Sequence, residues 1–195
     1  KLITSEVCVH HLWFSDEDYA RLGTRIKMNP AVKTRGDRDA LRHGLRDGRL
    51  DIVATDHAPH LLTEKEGNAI TAASGAPMVR YSLPVMLELA DMGVFSRELV
   101  VEKMCHAPAR LYNIDRRGYL RSGYYADLVV VRPDDPYTVT DASASARCGW
   151  TPLAGTTLHN RVVRTYVNGH LVCSDGVVDT SVRGRELHYL PRNRG

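Results

Sequence analysis

Apolar and polar residues along the first third of the chain fall into short stretches of differing period. From Leu2 to Phe14 ("LITSEVCVHHLWF") the β-branched Ile3, Val7 and Val9 stand among polar positions, which predicts a strand with His10 and His11 at its far end. "SDEDYARLG" (Ser15 to Gly23) offers a capping serine and an acidic first turn, so a short helix or turn should follow. Ile26 to Thr34 contains Pro30, lacks a period and reads as a loop. In "GDRDALRHGLRDG" (Gly36 to Gly48) Leu41 and Leu45 stand at helical spacing, with Asp37 placed to cap that helix and Gly48 to stop it. "DIVATDHAPH" (Asp51 to His60) opens as a buried strand through Ile52, Val53 and Ala54, then gathers Thr55, Asp56, His57 and His60 within six positions.

Farther on, His60 to Gly75 is polar and rich in small residues, a loop by composition. Arg80 to Gly93 and Ser96 to Asn113 are amphipathic, so two helices are expected; Ser96 should cap the second and Pro108 should break it. After about residue 115 the pattern changes. Gly118 to Asp135 reads as a glycine-punctuated turn followed by a strand, Leu128 to Val131. In "RVVRTYVNGHLVCSDGVV" (Arg161 to Val178) two alternating strands flank Asn168-Gly169, the favoured type I′ hairpin turn. The order predicts an α/β layer followed by an all-β piece.

Composition narrows the function classes. The chain has 195 residues, 43% hydrophobic and 25% charged, enough to bury a core and ordinary for a globular protein. Its 26 basic and 23 acidic residues leave a formal charge of +3. That balance does not argue for nucleic acid, and the basic tail (Arg183, Arg185, Arg192, Arg194) reads as a solvated one. Cys8, Cys105, Cys148 and Cys173 lie far apart with no C-x-x-C pair, which argues against a zinc ribbon and suits a reducing cytosol. No apolar stretch has the length of a membrane span. The start at Lys1, without an initiator Met or a signal-peptide shape, raises the expectation that the chain begins in mid-fold.

Ionisable groups at the end of a buried strand need a reason. In α/β barrels the residues at the C-terminal strand ends face the active site. Here two strands end that way, one at His10-His11 and one at Asp56-His57-His60, each followed by helical sequence. The plain alternatives are a histidine hydrogen-bonded in the barrel mouth and an aspartate capping a turn. The density of histidine around Asp56 favours a metal or proton-transfer site. A catalytic zinc takes three or more protein ligands, yet the chain has no H-x-H and no H-E-x-x-H. Either the site holds no metal, or most ligands lie outside this chain. With only two βα units against the eight of a closed barrel, the chain is expected to be incomplete.

Several stretches together resemble one family. "SEVCVHHLWFSDEDY", "KMNPAVKTRGDRDALRHGLRDGRLDIVATDHAPH" and "GYLRSGYYADLVVV" resemble the C-terminal half of dihydroorotases, cyclic amidohydrolases of pyrimidine biosynthesis. "KMNP" followed by "ATDHAPH" is the specific part, and "GYLRSGYYADLVV" is shared across the wider superfamily. The resemblance implies a (β/α)8 TIM barrel with an accessory β-sandwich. Residues 1–114 would supply the last barrel strands and helices, with strands seven and eight at Leu2 to Val9 and Asp51 to Thr55. Residues 115–195 would supply the C-terminal share of the sandwich. It also implies zinc, one or two ions in an intact site, and the reversible cyclisation of N-carbamoyl-L-aspartate to dihydroorotate with loss of water.

By the same resemblance Asp56 is the strand-eight aspartate that binds zinc and shuttles a proton, and Asn29 and His60 hold the substrate. His10 and His11 match a histidine pair of the family pattern and are assigned no metal. "SGAPMVRYSLPVML" departs from the family's "GxxGLE" after strand eight. The resemblance further implies a small-molecule substrate, no nucleic-acid or membrane partner, a cytoplasmic setting and room for a homo-oligomer; the chain by itself should be inactive. Two rival readings are a hydantoinase, dihydropyrimidinase or allantoinase on the same fold, and a non-catalytic amidohydrolase-like scaffold.

Overall fold

Val7 and Val53 sit opposite one another in a parallel strand pair, and the first layer of the fold is built outward from that contact. The computed structural model describes residues 3–191; Lys1, Leu2 and the last four residues, including Arg192 and Arg194 of the basic tail, lie outside the description. β1 (Glu6–Cys8) and β2 (Ile52–Ala54) run parallel, Glu6 against Ile52 and Cys8 against Ala54. The connection between them carries α1 (Val9–Trp13), α2 (Tyr19–Leu22) and α3 (Arg35–Arg46), so the unit is α/β with a βαβ crossover.

The first strand is shorter than the alternation predicts. It stops at Cys8, and Val9–Trp13 is helical. Val9 and Leu12, three apart and both fully buried, point to one face of that turn, so the buried apolar pair follows helical spacing where a strand was expected. α3 forms as expected over its apolar positions, but its cap is Thr34. The Thr34 hydroxyl accepts from the Asp37 amide at 3.2 Å while the Asp37 carboxylate accepts from the Thr34 amide at 3.1 Å. Asp37 is therefore the third residue of a reciprocal box, because Thr34 alone has the extended backbone a cap requires.

Helices α4 (Ser82–Asp91), α5 (Arg97–Val101) and α6 (Ala107–Leu111) follow, and Val85, Met86 and Leu89 of α4 and Val100 of α5 share one buried cluster with Val7 and Val53. The Ser96 hydroxyl caps α5 by accepting from the Leu99 amide at 3.1 Å. Pro108 does not break the helix. A π turn over Glu102–His106 joins α5 to α6, and its wider spacing re-routes the carbonyls that the proline ring would otherwise meet. That turn also presents Lys103, whose ammonium donates to the Leu50 carbonyl at 2.7 Å just ahead of β2.

Beyond α6 the regular structure of the described residues is β, apart from a short 3-10 turn at Ala142–Ala144. β3 (Leu128–Arg132), β6 (Arg161–Val167), β7 (His170–Ser174) and β8 (Val177–Val178) form an antiparallel sheet in the order β3-β6-β7-β8, and β4 (Tyr137–Thr138) pairs with β5 (Thr157–Leu158). The β6–β7 turn is the predicted one: Asn168 has φ +51 and Gly169 φ +82, the paired left-handed geometry of type I′. Val129, Val130, Leu171 and Val177 leave apolar surface of this sheet exposed.

The β4–β5 excursion packs differently. Its Val139, Trp150, Leu153 and Leu158 join the same buried cluster as Val7, Leu45, Met86 and Leu89. Polar links close that contact. Arg25 pairs with Asp141 at 2.8 Å, and the buried Glu88 carboxylate accepts from the His159 amide and ring Nδ1, each at 2.9 Å.

Candidate functional site

Asp56 follows β2 by two residues, where the backbone turns out of the sheet with φ +41. Aspartate visits this left-handed region more readily than most residues, yet holding it there is costly, and such positions concentrate at functional sites. Its side chain is exposed and makes no hydrogen bond or ion pair among the described residues. Its charge reaches the neighbouring strand. The Cys8 thiol, opposite Ala54, is pushed up to about 11, first by burial and then by the nearby Asp56 and Glu6 carboxylates.

His57, next in sequence, has a structural task. Its Nδ1 accepts from the Met78 and Val79 amides at 3.1 and 3.3 Å, so that nitrogen carries no proton. The bond fastens the strand end to the return of the following loop, as does the Ala58 amide donating to the Ala76 carbonyl.

His60 is half-buried, with Nδ1 3.7 Å from the Glu64 carboxylate, which leaves Nε2 as the nitrogen free to meet a ligand. Asn29 lies exposed on the other βα loop, at a cis Asn29–Pro30 bond. It lines an open depression of about 780 Å³ with Tyr19, Lys27, Lys33 and Ser74; Asp56 and His60 do not line it. No hydrogen bond directly joins Asp56, Asn29 and His60 among the described residues.

Gly75 connects the two loops instead. Its amide donates to the Lys27 carbonyl at 2.9 Å, two residues before Asn29. A Cβ there would lie 2.6 Å from the Ala58 Cβ and 3.4 Å from the His60 Cδ2, and φ is +124, so only glycine fits.

The histidine pair after β1 divides its duties. His11 Nε2 meets the Pro30 carbonyl at 2.9 Å and steadies the turn beside Asn29. His10 is fully buried, and neither ring nitrogen completes a hydrogen bond. Burial, with the neighbouring His11, lowers its pKa to about 3; the Thr55 backbone opposes that shift without reaching bonding geometry. Cys8 Sγ and ring nitrogens of His10 and His11 all lie within 4.8 Å of one another, a group that can gather a metal ion once the thiol loses its proton. The unpartnered carboxylate of Asp56 also suits a hard, charged donor to a divalent ion.

Two residues near the site carried no readable signal. Lys65 sits in a polar stretch and looks like any solvated lysine, yet only 2% of it is exposed. Trp150 belongs to a segment ninety positions away, and its indole N–H donates to the His60 carbonyl at 2.7 Å. Both act through contacts that close only in the folded chain.

The fold has counterparts in known proteins. A family model described as the amidohydrolase family matches residues 2–172. The chain belongs to the amidohydrolase family. It is 41% identical over 152 residues to a dihydroorotase of Halobacterium salinarum, covering 78% of this chain and 36% of that protein. A dihydroorotase of Syntrophus aciditrophicus is 37% identical over 170 residues, covering 87% of this chain and 40% of the relative. Among solved structures, the L-hydantoinase (dihydropyrimidinase) of Arthrobacter aurescens superposes with a TM-score of 0.87 at 28% identity, covering 91% of this chain and 40% of the hydantoinase. This amidohydrolase chain therefore spans about two fifths of the length of the relatives it matches.

Proposed function

We propose that this chain forms the closing part of a dihydroorotase, which interconverts N-carbamoyl-L-aspartate and dihydroorotate. One arrangement carries the reading: Asp56 follows a parallel strand by two residues as an unpartnered carboxylate in a left-handed turn, and Gly75 ties its loop, which also bears His60, to the loop bearing Asn29. Residues 1–114 are read as the last strands and helices of a (β/α)8 barrel, and 115–195 as the C-terminal share of a β-sandwich. The apolar surface left exposed by Val129, Val130, Leu171 and Val177 supports a sheet that packs on further strands.

The family reading implies zinc, with Asp56 as this chain's ligand. A zinc ion, when bound, supplies Lewis acidity that makes water acidic near neutral pH and polarises a carbonyl. Hydrolysis breaks the ring amide C–N bond, adding OH to the carbonyl carbon and H to the nitrogen. Asp56 takes the proton from the attacking water and passes it to the departing nitrogen, acting as base and then as acid. A short carboxylate held at a fixed strand end moves little between those two positions. Asn29 and the Nε2 of His60 hydrogen-bond the substrate and hold it against Asp56. Cyclisation runs the same transfers backwards.

The reading includes a small-molecule substrate, a cytoplasmic setting, and neither nucleic acid nor membrane as partner. No helix among the described residues is long and apolar enough to cross a membrane. A hydantoinase is the second reading, favoured by the superposition on the Arthrobacter enzyme. Steady-state assays of the full-length enzyme with dihydroorotate, hydantoin, dihydrouracil and allantoin separate the two. Preference for dihydroorotate is expected; preference for hydantoin or dihydrouracil overturns the first reading.

A further inference from the structure

We propose that Lys65 is a positioning residue whose buried ammonium, seated against Trp150, ties the loop carrying Asn29 to the loop carrying His60. The roles of Asn29 and His60 rest on the function proposed above; the knot itself rests on geometry.

Lys65 closes the short turn Leu62–Lys65 and points inward. Its Nζ donates to the carbonyls of Lys27 at 3.1 Å, Ala73 at 2.7 Å and Gly75 at 2.8 Å. An ammonium has three N–H donors and no acceptor, so three carbonyls saturate it. No carboxylate pairs with it among the described residues. The charge is instead held by three charge-assisted bonds and by the Trp150 ring, 5.8 Å from Nζ to the centroid.

Each bond ends on a segment that matters to the site. The Lys27 carbonyl, two residues before Asn29, accepts from both Lys65 and the Gly75 amide. Gly75 packs under Ala58 and His60 so closely that no side chain would fit. Trp150, beneath the ammonium, donates its indole N–H to the His60 carbonyl at 2.7 Å. One cation thus sits between both substrate-bearing loops. The Lys27 ammonium reinforces the same seam by donating to the Ile70 carbonyl at 3.3 Å and to the Ala72 carbonyl.

The carbonyls that Lys65 holds lie in connecting segments outside the helices and strands, and of the knot's residues only Trp150 belongs to the buried cluster of Val7, Val53 and Leu89. Removing the ammonium leaves buried carbonyls without a donor and should open the seam locally, without unfolding the layer below. Loops that bind substrate would then have to be ordered at each encounter, which weakens binding and leaves proton transfer at Asp56 largely intact.

The test is Lys65→Met, of similar length and uncharged, in the full-length enzyme. KM for dihydroorotate should rise by about tenfold or more with little change in kcat. Amide exchange should quicken at Ala73 and Gly75 while α3 and α4 keep their protection. Unchanged KM with unchanged exchange overturns the proposal. Exchange quickening throughout the core, with kcat and KM worsening together, also overturns it, because Lys65 would then be a stability residue only.

Should Lys65→Met fail to fold, Trp150→Phe decides. It keeps the aromatic face, deletes the bond to the His60 carbonyl, and should raise KM in the same selective way; unaltered KM in this variant counts against the knot. Should the wild-type enzyme turn over no cyclic amide, the proposed function falls separately. The knot is then judged by the Asn29 amide and His60 ring NMR signals, which should shift or broaden in Lys65→Met and whose constancy would refute it.

Discussion

Cys8 faces Ala54 across the parallel strand pair, and the Asp56 carboxylate two residues beyond Ala54 reaches the Cys8 thiol electrostatically. The two side chains belong to strand ends separated by nearly fifty residues, so the coupling reports that the βαβ unit has closed. It makes Cys8 a reporter for the charge at position 56.

Cys8 should therefore be slow to alkylate. With its pKa pushed from 9.0 to about 11, the thiolate fraction near neutral pH is about a hundredfold below that of an ordinary cysteine. Mass-spectrometric timing of iodoacetamide labelling should find Cys8 retarded to that degree. Asp56→Asn should speed the labelling modestly, since burial is the larger cause and persists. An unaltered rate would separate the two groups.

Acid should strike the fold through His10. Its folded pKa lies near 3 against an ordinary 6.5, so between those values the unfolded chain binds the extra proton. Stability is then greatest above pH 6.5 and falls as the pH drops toward 3, by on the order of a few kcal/mol in all. Urea midpoints measured from pH 7 down to pH 4 should trace that loss. In His10→Gln the slope should flatten, whatever that variant's stability at neutral pH.

Thr34 holds the start of α3, with Asp37 answering it. Thr34→Ala removes the acceptor for the Asp37 amide and should cost about 1 kcal/mol of stability. Asp37→Ala should cost a similar or smaller amount, because the Thr34 hydroxyl remains. Thermal denaturation of both variants checks the order, and a costlier Asp37→Ala would return the cap to that residue.

Local chemistry is where the sequence was legible. The Asn168-Gly169 hairpin could be read because two left-handed residues are needed and both are present. Leu41 and Leu45 marked α3 by their spacing, and Ile52 to Ala54 marked β2. Val7 and Val9 misled because the strand-to-helix change falls between them; the later pairing of Val9 with Leu12 is helical. Pro108 reads as a stop because a π turn has no sequence signature of its own. At the site, Asp56 and His60 were visible as costly groups clustered after a strand. His57 serving the Met78 and Val79 amides, Lys65 serving three carbonyls and Trp150 reaching His60 depend on partners fixed only by tertiary packing.

The proton-carrying role of Asp56 is tested most directly by kcat for dihydroorotate hydrolysis in the full-length Asp56→Ala enzyme, beside Asn29→Ala. The account predicts a fall in kcat of roughly a hundredfold to ten-thousandfold for Asp56→Ala, and for Asn29→Ala chiefly a raised KM. Turnover by Asp56→Ala within a few-fold of wild type would contradict it.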